Sequence, residues 1–144
     1  MERFKSYIAE FKVEYPDAKK TLGIPRDKMP QVKSKDYAEL VAFLKSNGIR
    51  MSKKTIKAKN LKATQSNFNV DKITQAVDKY KTLGTAKPII VSSDGYVIDG
   101  HHRWLGAVNV GGDIAIMQAS VKAKELMDAI NKFPKTFNKN INQT

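Results

Sequence analysis

The stretch Lys87-Pro88-Ile89-Ile90-Val91-Ser92-Ser93-Asp94-Gly95-Tyr96-Val97-Ile98-Asp99-Gly100-His101-His102-Arg103-Trp104 decides the fold. Two short apolar runs flank Ser93-Asp94-Gly95, and Asp-Gly tolerates the positive φ of a tight turn, so the spacing predicts a hairpin. The second run leads into Asp99, Gly100 lets the backbone turn sharply, and His101 to Val108 continue as a helix. The segment therefore lies at a strand end and a helix start. Free backbone N–H groups and the helix dipole make such a junction an anion site, and a glycine lets a phosphate approach the backbone.

The chain has two histidines and one tryptophan, and all three fall within Gly100 to Trp104, beside Asp99 and Arg103. Arg103 suits a bidentate grip on phosphate oxygens. His101 and His102 are adjacent and so point about 100° apart on a helix, which argues for separate tasks rather than one shared metal. One would donate to a phosphate or work in acid-base chemistry, the other would fix Asp99 or a backbone carbonyl. Asp99 is the nearby carboxylate for accepting a proton or holding a divalent ion. Capping and solvation of the helix start remain the alternative for these residues, and turn formation for Asp99. Trp104, Ala107 and Val108 share one side of the helix and are expected to pack on the sheet.

Outward from this centre, residues 2 to 14 place Phe4, Ile8, Phe11 and Tyr15 on one helical stripe ended by Pro16. Residues 19 to 35 read as a connecting loop with Leu22, Ile24 and Val32 as anchors. Ser34 is a candidate N-cap for a helix that buries Tyr37, Leu40, Val41 and Leu44 before Asn47-Gly48. Between Ser52 and Leu61, Lys53, Thr55, Lys57 and Lys59 alternate with Ile56 and Ala58 as in a strand with one wet, cationic face. Val70, Ile73, Ala76, Val77 and Tyr80 predict a helix over 70–83, closed by Gly84. A strand over 113–121, a helix over 122–132 and a flexible tail over 134–144 complete the chain.

The net charge is +12, and residues 51–90 alone carry nine lysines against two aspartates. A surface of that kind attracts polyanions, so nucleic acid is the leading partner class, with a solvating role for the lysines as the alternative. There is no cysteine, which excludes disulfides, thiolate zinc sites and sulfur nucleophiles. No run is long and apolar enough for a membrane span and the first residues lack a signal-peptide core, so a cytoplasmic protein is expected.

The run Lys87 to Ser92, the Asp94-Gly95 turn, Tyr96 to Ile98 and Asp99 to Ala107 resemble the ParB/sulfiredoxin superfamily. Upstream, Lys57 to Leu61, Ala63-Thr64-Gln65 and Asp71 to Gly84 occupy the places of that family's strand, polar segment and helix, so the likeness covers roughly 52–122. The resemblance implies an α/β fold. It would be a single domain over 51–133 with a small mixed sheet flanked by helices, preceded by a helical extension over 1–50.

Three branches differ at this segment. Sulfiredoxins carry a cysteine where this chain has His101, so that chemistry is excluded. Partition proteins use Gly-Glu-Arg-Arg followed by a helix-turn-helix region, for which 22 residues after Lys122 are too few. Free serine kinases carry an Asp-Gly-His-His-Arg segment like 99–103, which would make Asp99 the base and His101, His102 and Arg103 phosphate ligands. Those kinases also use an early glutamate, whereas this chain has none between Glu39 and Glu125 and places Thr64, Gln65 and Ser66 there.

Small stand-alone ParB-like proteins, often phage-encoded, are described as nucleases, and the lysine-rich segment fits a nucleic-acid substrate. The first expectation is therefore a nuclease or DNA-processing protein of a bacterial or phage-infected cell. In it Asp99, His101 and His102 are catalytic, Gly100, His101, His102, Arg103, Thr64 and Gln65 bind phosphates, and Lys53, Lys57, Lys59 and Lys62 track nucleic acid. The alternatives are a nucleotide-dependent phosphotransferase and a non-catalytic nucleotide or DNA-binding module. Candidate cofactors are Mg2+, with Asp99 as its candidate ligand, and ATP, ADP or CTP.

Overall fold

The computed structural model describes residues 13–138. The expected stripe of Phe4, Ile8 and Phe11 and the last part of the tail lie outside them. Five strands, β1 (Met51–Lys57), β2 (Lys62–Ala63), β3 (Ile89–Val91), β4 (Tyr96–Asp99) and β5 (Asp113–Ala119), form one mixed sheet in the order β1-β5-β3-β4-β2. The helices are α1 (Tyr37–Ser46), α2 (Val70–Leu83), α3 (His101–Val110) and α4 (Ala123–Asn131). The chain is thus an α/β protein. No helix among the described residues is long and apolar enough to cross a membrane.

The central strands β3 and β4 are buried on both faces, which explains their continuous apolar runs. Ile90 and Ile98 face one core layer with Tyr37, Leu40 and Leu44 of α1 and Leu126 and Ile130 of α4. Ile89, Val91 and Val97 face the other, with Ile73 and Val77 of α2 and Trp104, Leu105 and Ala107 of α3. Trp104 is core, as its spacing predicted, and its Nε1 donates to the Ala58 carbonyl at 2.7 Å. Gly106 brings α3 against α2, since a Cβ there would lie 2.8 Å from the Ala76 backbone.

The antiparallel β3–β4 pair is irregular at one step: Val91 opposes Val97, but Ile90 opposes Asp99. The extra residue is a bulge, and a bulge turns two successive side chains toward one face. Ile98 and Asp99 accordingly both address the α1 layer, and this re-aiming decides what Asp99 can touch.

Several local expectations need correction. The strand expected to run to Leu61 ends at Lys57, and Ala58–Asn60 form a 3-10 turn because Ala58 is buried beneath Trp104. Residues Ser34–Asp36 form a 3-10 turn, so the helix after them starts at Tyr37; Ser34 does not cap it, and Val41 is only half-buried. Val70 and Leu22 are exposed rather than anchored. Residues 22–24 instead use their backbone to extend the β2 edge: Leu22 N–H donates to Ala63 O and Ile24 N–H to Thr64 O. At the other end, Phe137 and Gln31 exchange two backbone hydrogen bonds at 2.8 and 2.9 Å.

Candidate phosphate-binding cleft

Where β4 ends and α3 begins, a cleft of about 400 Å3 opens between the segment 26–34, α2, the residues after α2, and the first turn of α3. Gly100, at φ +97°, makes the passage from strand to helix, and no side chain caps the N-terminus it starts. The cleft is lined by Asp99, Gly100, His101, His102 and Arg103, all expected site residues. Arg26, Gln31, Lys72, Lys79 and Lys87, which carried no assignment in the sequence, line it too. Its walls therefore hold five cationic side chains against one carboxylate.

His101 is fully buried, and its Nε2 faces the backbone N–H groups of Thr64 and Gln65, each at 3.3 Å. A nitrogen that faces two N–H donors is an acceptor, so the ring is neutral and its proton sits on Nδ1. His102 is arranged the same way, with Nε2 accepting from Asn69 N–H at 3.0 Å. Burial, reinforced by the positive charge of Arg26, holds the His101 pKa well below the usual histidine value. The same two causes pull His102 down to about 3. Phe68 lies against both rings. Thr64 and Gln65 thus serve the site by holding His101, and Thr64 Oγ1 donates to Val97 O at 2.6 Å.

Neither histidine touches Asp99, contrary to one expected use of the pair, because the bulge faces Asp99 toward α1. There Oδ2 accepts from Tyr37 Oη at 2.9 Å and from Val32 N–H at 3.2 Å. Burial raises the Asp99 pKa, opposed by the charge of Arg103 and by these two bonds. Arg103 donates to Tyr37 Oη at 2.8 Å and to Pro88 O at 3.2 Å. Arg26 is 5% exposed and donates from Nη1 to Gln65 Oε1 at 3.1 Å.

Among the described residues, four buried side-chain polar atoms lack a hydrogen-bond partner: Arg26 Nε, Gln31 Nε2, His101 Nδ1 and Arg103 Nε. All four are donors, and all four belong to residues that line this cleft. An unsatisfied buried donor costs about 1–3 kcal/mol, so four of them on residues of one cleft are a concentrated cost that acceptor groups would relieve.

The donor set does not fit a metal held by the protein. Among the described residues Asp99 is the only carboxylate lining the cleft, its Oδ2 is engaged by two donors, and two arginines act on it electrostatically. The acceptor nitrogens of both histidines are already taken by backbone N–H groups. Among the described residues no group of three or more His, Asp or Glu gathers as a metal site.

Lys53, Lys57, Lys59 and Lys62 are exposed and none lines the cleft. Lys53 and Lys57 lie on the edge strand β1, opposite Met117 and Asp113, and Lys62 stands over the Tyr96 ring at 4.3 Å. The part of the lysine-rich segment that reaches the cleft is Lys72 and Lys79, two turns apart on α2, with Lys87 beyond it.

Fold and cleft together define an α/β protein with a cationic, donor-rich cleft at a strand-to-helix junction. No protein-family model and no curated protein matches the chain. Among solved structures it is similar to a Pnob8-like ParB-N domain, at a TM-score of 0.47 and 15% identity, covering 57% of this chain and 35% of that one.

Proposed function

We propose that this chain is a ParB-like protein whose cleft binds the phosphates of a nucleotide. The observation that carries the reading is that four unpartnered buried donors belong to residues lining one cleft whose walls hold five cations. Neutral His101 is suited to donate from Nδ1 to a phosphate oxygen, and Arg103 and the uncapped start of α3 add charge and N–H groups. The locked Nε2 atoms favour donation over the acid-base role expected for the histidines. Should a phosphoryl transfer follow binding, Asp99 is the group suited to take the proton of an acceptor hydroxyl, since burial makes it a stronger base. Mg2+ would then be held chiefly by the phosphates.

The second reading, nucleic-acid processing, is favoured by the exposed Lys53 and Lys57 on the sheet edge. A thermal-shift screen of wild type and Arg103→Ala against ATP, ADP, CTP and single- and double-stranded DNA, with and without Mg2+, separates the two. Stabilisation by a nucleotide that disappears in the variant supports the first. A shift with DNA alone, insensitive to nucleotides, rejects it and points to a strand-cleavage assay.

A further inference from the structure

The segment from Pro25 to Tyr37 contributes three groups to the polar cluster beside the cleft: Arg26, Gln31 and, through Asp99 and Arg103, Tyr37. Arg26 sits on a 3-10 turn that begins just after Pro25, and its backbone N–H is tied to Asn67 Oδ1 at 2.9 Å. Its guanidinium is buried, yet among the described residues the ion pairs within 4 Å are those of Lys135 with Asp36 and Glu39. Arg26 therefore holds a desolvated charge with one amide oxygen as its side-chain partner and Nε unpartnered. A buried, unpaired cation is among the costliest groups a fold can carry. Two arginines, moreover, share the single carboxylate Asp99.

Resting on the nucleotide-phosphate reading, we infer that Arg26 is a phosphate ligand, and that the segment Pro25 to Tyr37 completes the cleft around a terminal phosphate group. The chemistry distinguishes a terminal phosphate from a phosphodiester. A diester offers two free oxygens and one negative charge; a terminal phosphate offers three strong acceptor oxygens and up to two charges. Four donors and two arginines facing one carboxylate match the second. Gln31 Nε2, from the same segment, supplies a neutral donor beside Arg26.

The test compares wild type, Arg26→Met and Arg26→Lys by calorimetric titration with ATP and with a dinucleoside monophosphate, alongside their melting without ligand. Wild type is expected to prefer ATP by more than about tenfold, and Arg26→Met to lose at least about tenfold in ATP affinity. Its melting temperature without ligand should be unchanged or higher, because a buried unpaired charge is gone. A purely structural arginine would give the reverse, lower melting with ATP binding intact, and that result overturns the inference while leaving the nucleotide reading in place. If Arg26→Met does not fold, Arg26→Lys decides: weaker ATP binding at unchanged melting supports the inference, and unchanged binding overturns it. Equal affinity of wild type for the two probes removes the terminal-phosphate assignment. No ATP binding by wild type removes the nucleotide reading itself, and the inference with it.

Discussion

Tyr37 Oη donates to Asp99 Oδ2 at 2.9 Å, joining two residues 62 positions apart across the boundary between the N-terminal segment and the sheet. The same oxygen accepts from Arg103 at 2.8 Å, so one phenol fixes both the carboxylate and the guanidinium of the cleft. Burial and the adjacent Asp99 charge push the Tyr37 pKa up, which keeps the hydroxyl a donor throughout the physiological range.

Tyr37→Phe should therefore act on stability and binding together. It leaves Asp99 one donor short and frees Arg103 from its acceptor, at a cost of about 1–3 kcal/mol for the unsatisfied buried group. Nucleotide affinity should fall several-fold as Arg103 loses its orientation. Urea denaturation and titration calorimetry check both; a variant that is less stable but binds normally would confine Tyr37 to the core.

Stability should drop on mild acidification. His101 and His102 are neutral when folded, with pKa values held well below 6.5 and at about 3, so the unfolded chain takes up protons first as pH falls below about 6.5. Their contribution is complete above that pH and is lost toward the folded values, at up to about 1.4 kcal/mol per pH unit for each histidine. Asp99 works in the opposite sense, since its raised folded pKa favours the native state at acid pH, but it is one group against two. Tyr37 adds a second limit: its raised pKa means stability is lost as pH climbs past the ordinary tyrosine value near 10. Melting temperatures between pH 8 and 5 should fall; a flat profile would show that the histidines are not held neutral.

The two groups of lysines should separate in a salt titration. Lys72 and Lys79 line the cleft, so their joint replacement by alanine should weaken nucleotide binding several-fold and flatten its dependence on ionic strength. Joint replacement of Lys53 and Lys57, exposed on the far edge strand, should leave nucleotide affinity unchanged. If the second pair governs binding instead, the ligand lies along β1 and the cleft reading fails.

The centre of the candidate site was legible in the sequence because its determinants are local. Asp94-Gly95 specifies the turn and Gly100 the strand-to-helix step, so Asp99 to Arg103 could be placed at a helix start from neighbours alone. Arg26, Gln31 and Tyr37 were not legible as site residues. What brings them there is the parallel bridge of Ile24 to Gln65 and the packing of α1 on Ile90 and Ile98, neither of which leaves a periodic trace. The bulge at Asp99 was equally hidden, since strand periodicity assumes strict alternation. The lysine alternation led correctly to a strand, but not to one with a single wet face: Ser52 and Lys54 are exposed alongside Lys53 and Thr55, and the strand was continued too far. The signal that ends the strand is Ala58, a small residue the chain buries under Trp104. Lys72 and Lys79 carried a usable clue, the spacing of seven that sets two cations on one helix face beside a histidine-arginine segment.

Gly100→Ala tests whether the strand-to-helix step itself sets the cleft geometry. At φ +97° an L side chain is strained, and its Cβ would lie 2.5 Å from Ile89 Cγ2 and 2.9 Å from Arg103 Nη2. Ile89 is fully buried in the second core layer and cannot move away freely, so the cost combines backbone strain with overpacking, about 2–4 kcal/mol. Arg103 is the mobile neighbour and should yield first, leaving Tyr37 Oη and Pro88 O. The variant is therefore expected to lose nucleotide binding more completely than its drop in stability implies. Gly95→Ala is the control: φ is also positive, but the nearest contact is 3.8 Å away, at the flexible end of Lys62, so strain alone should lower stability and binding should persist. Equal loss of binding in both variants would mean that general destabilisation, not the displacement of Arg103, empties the cleft.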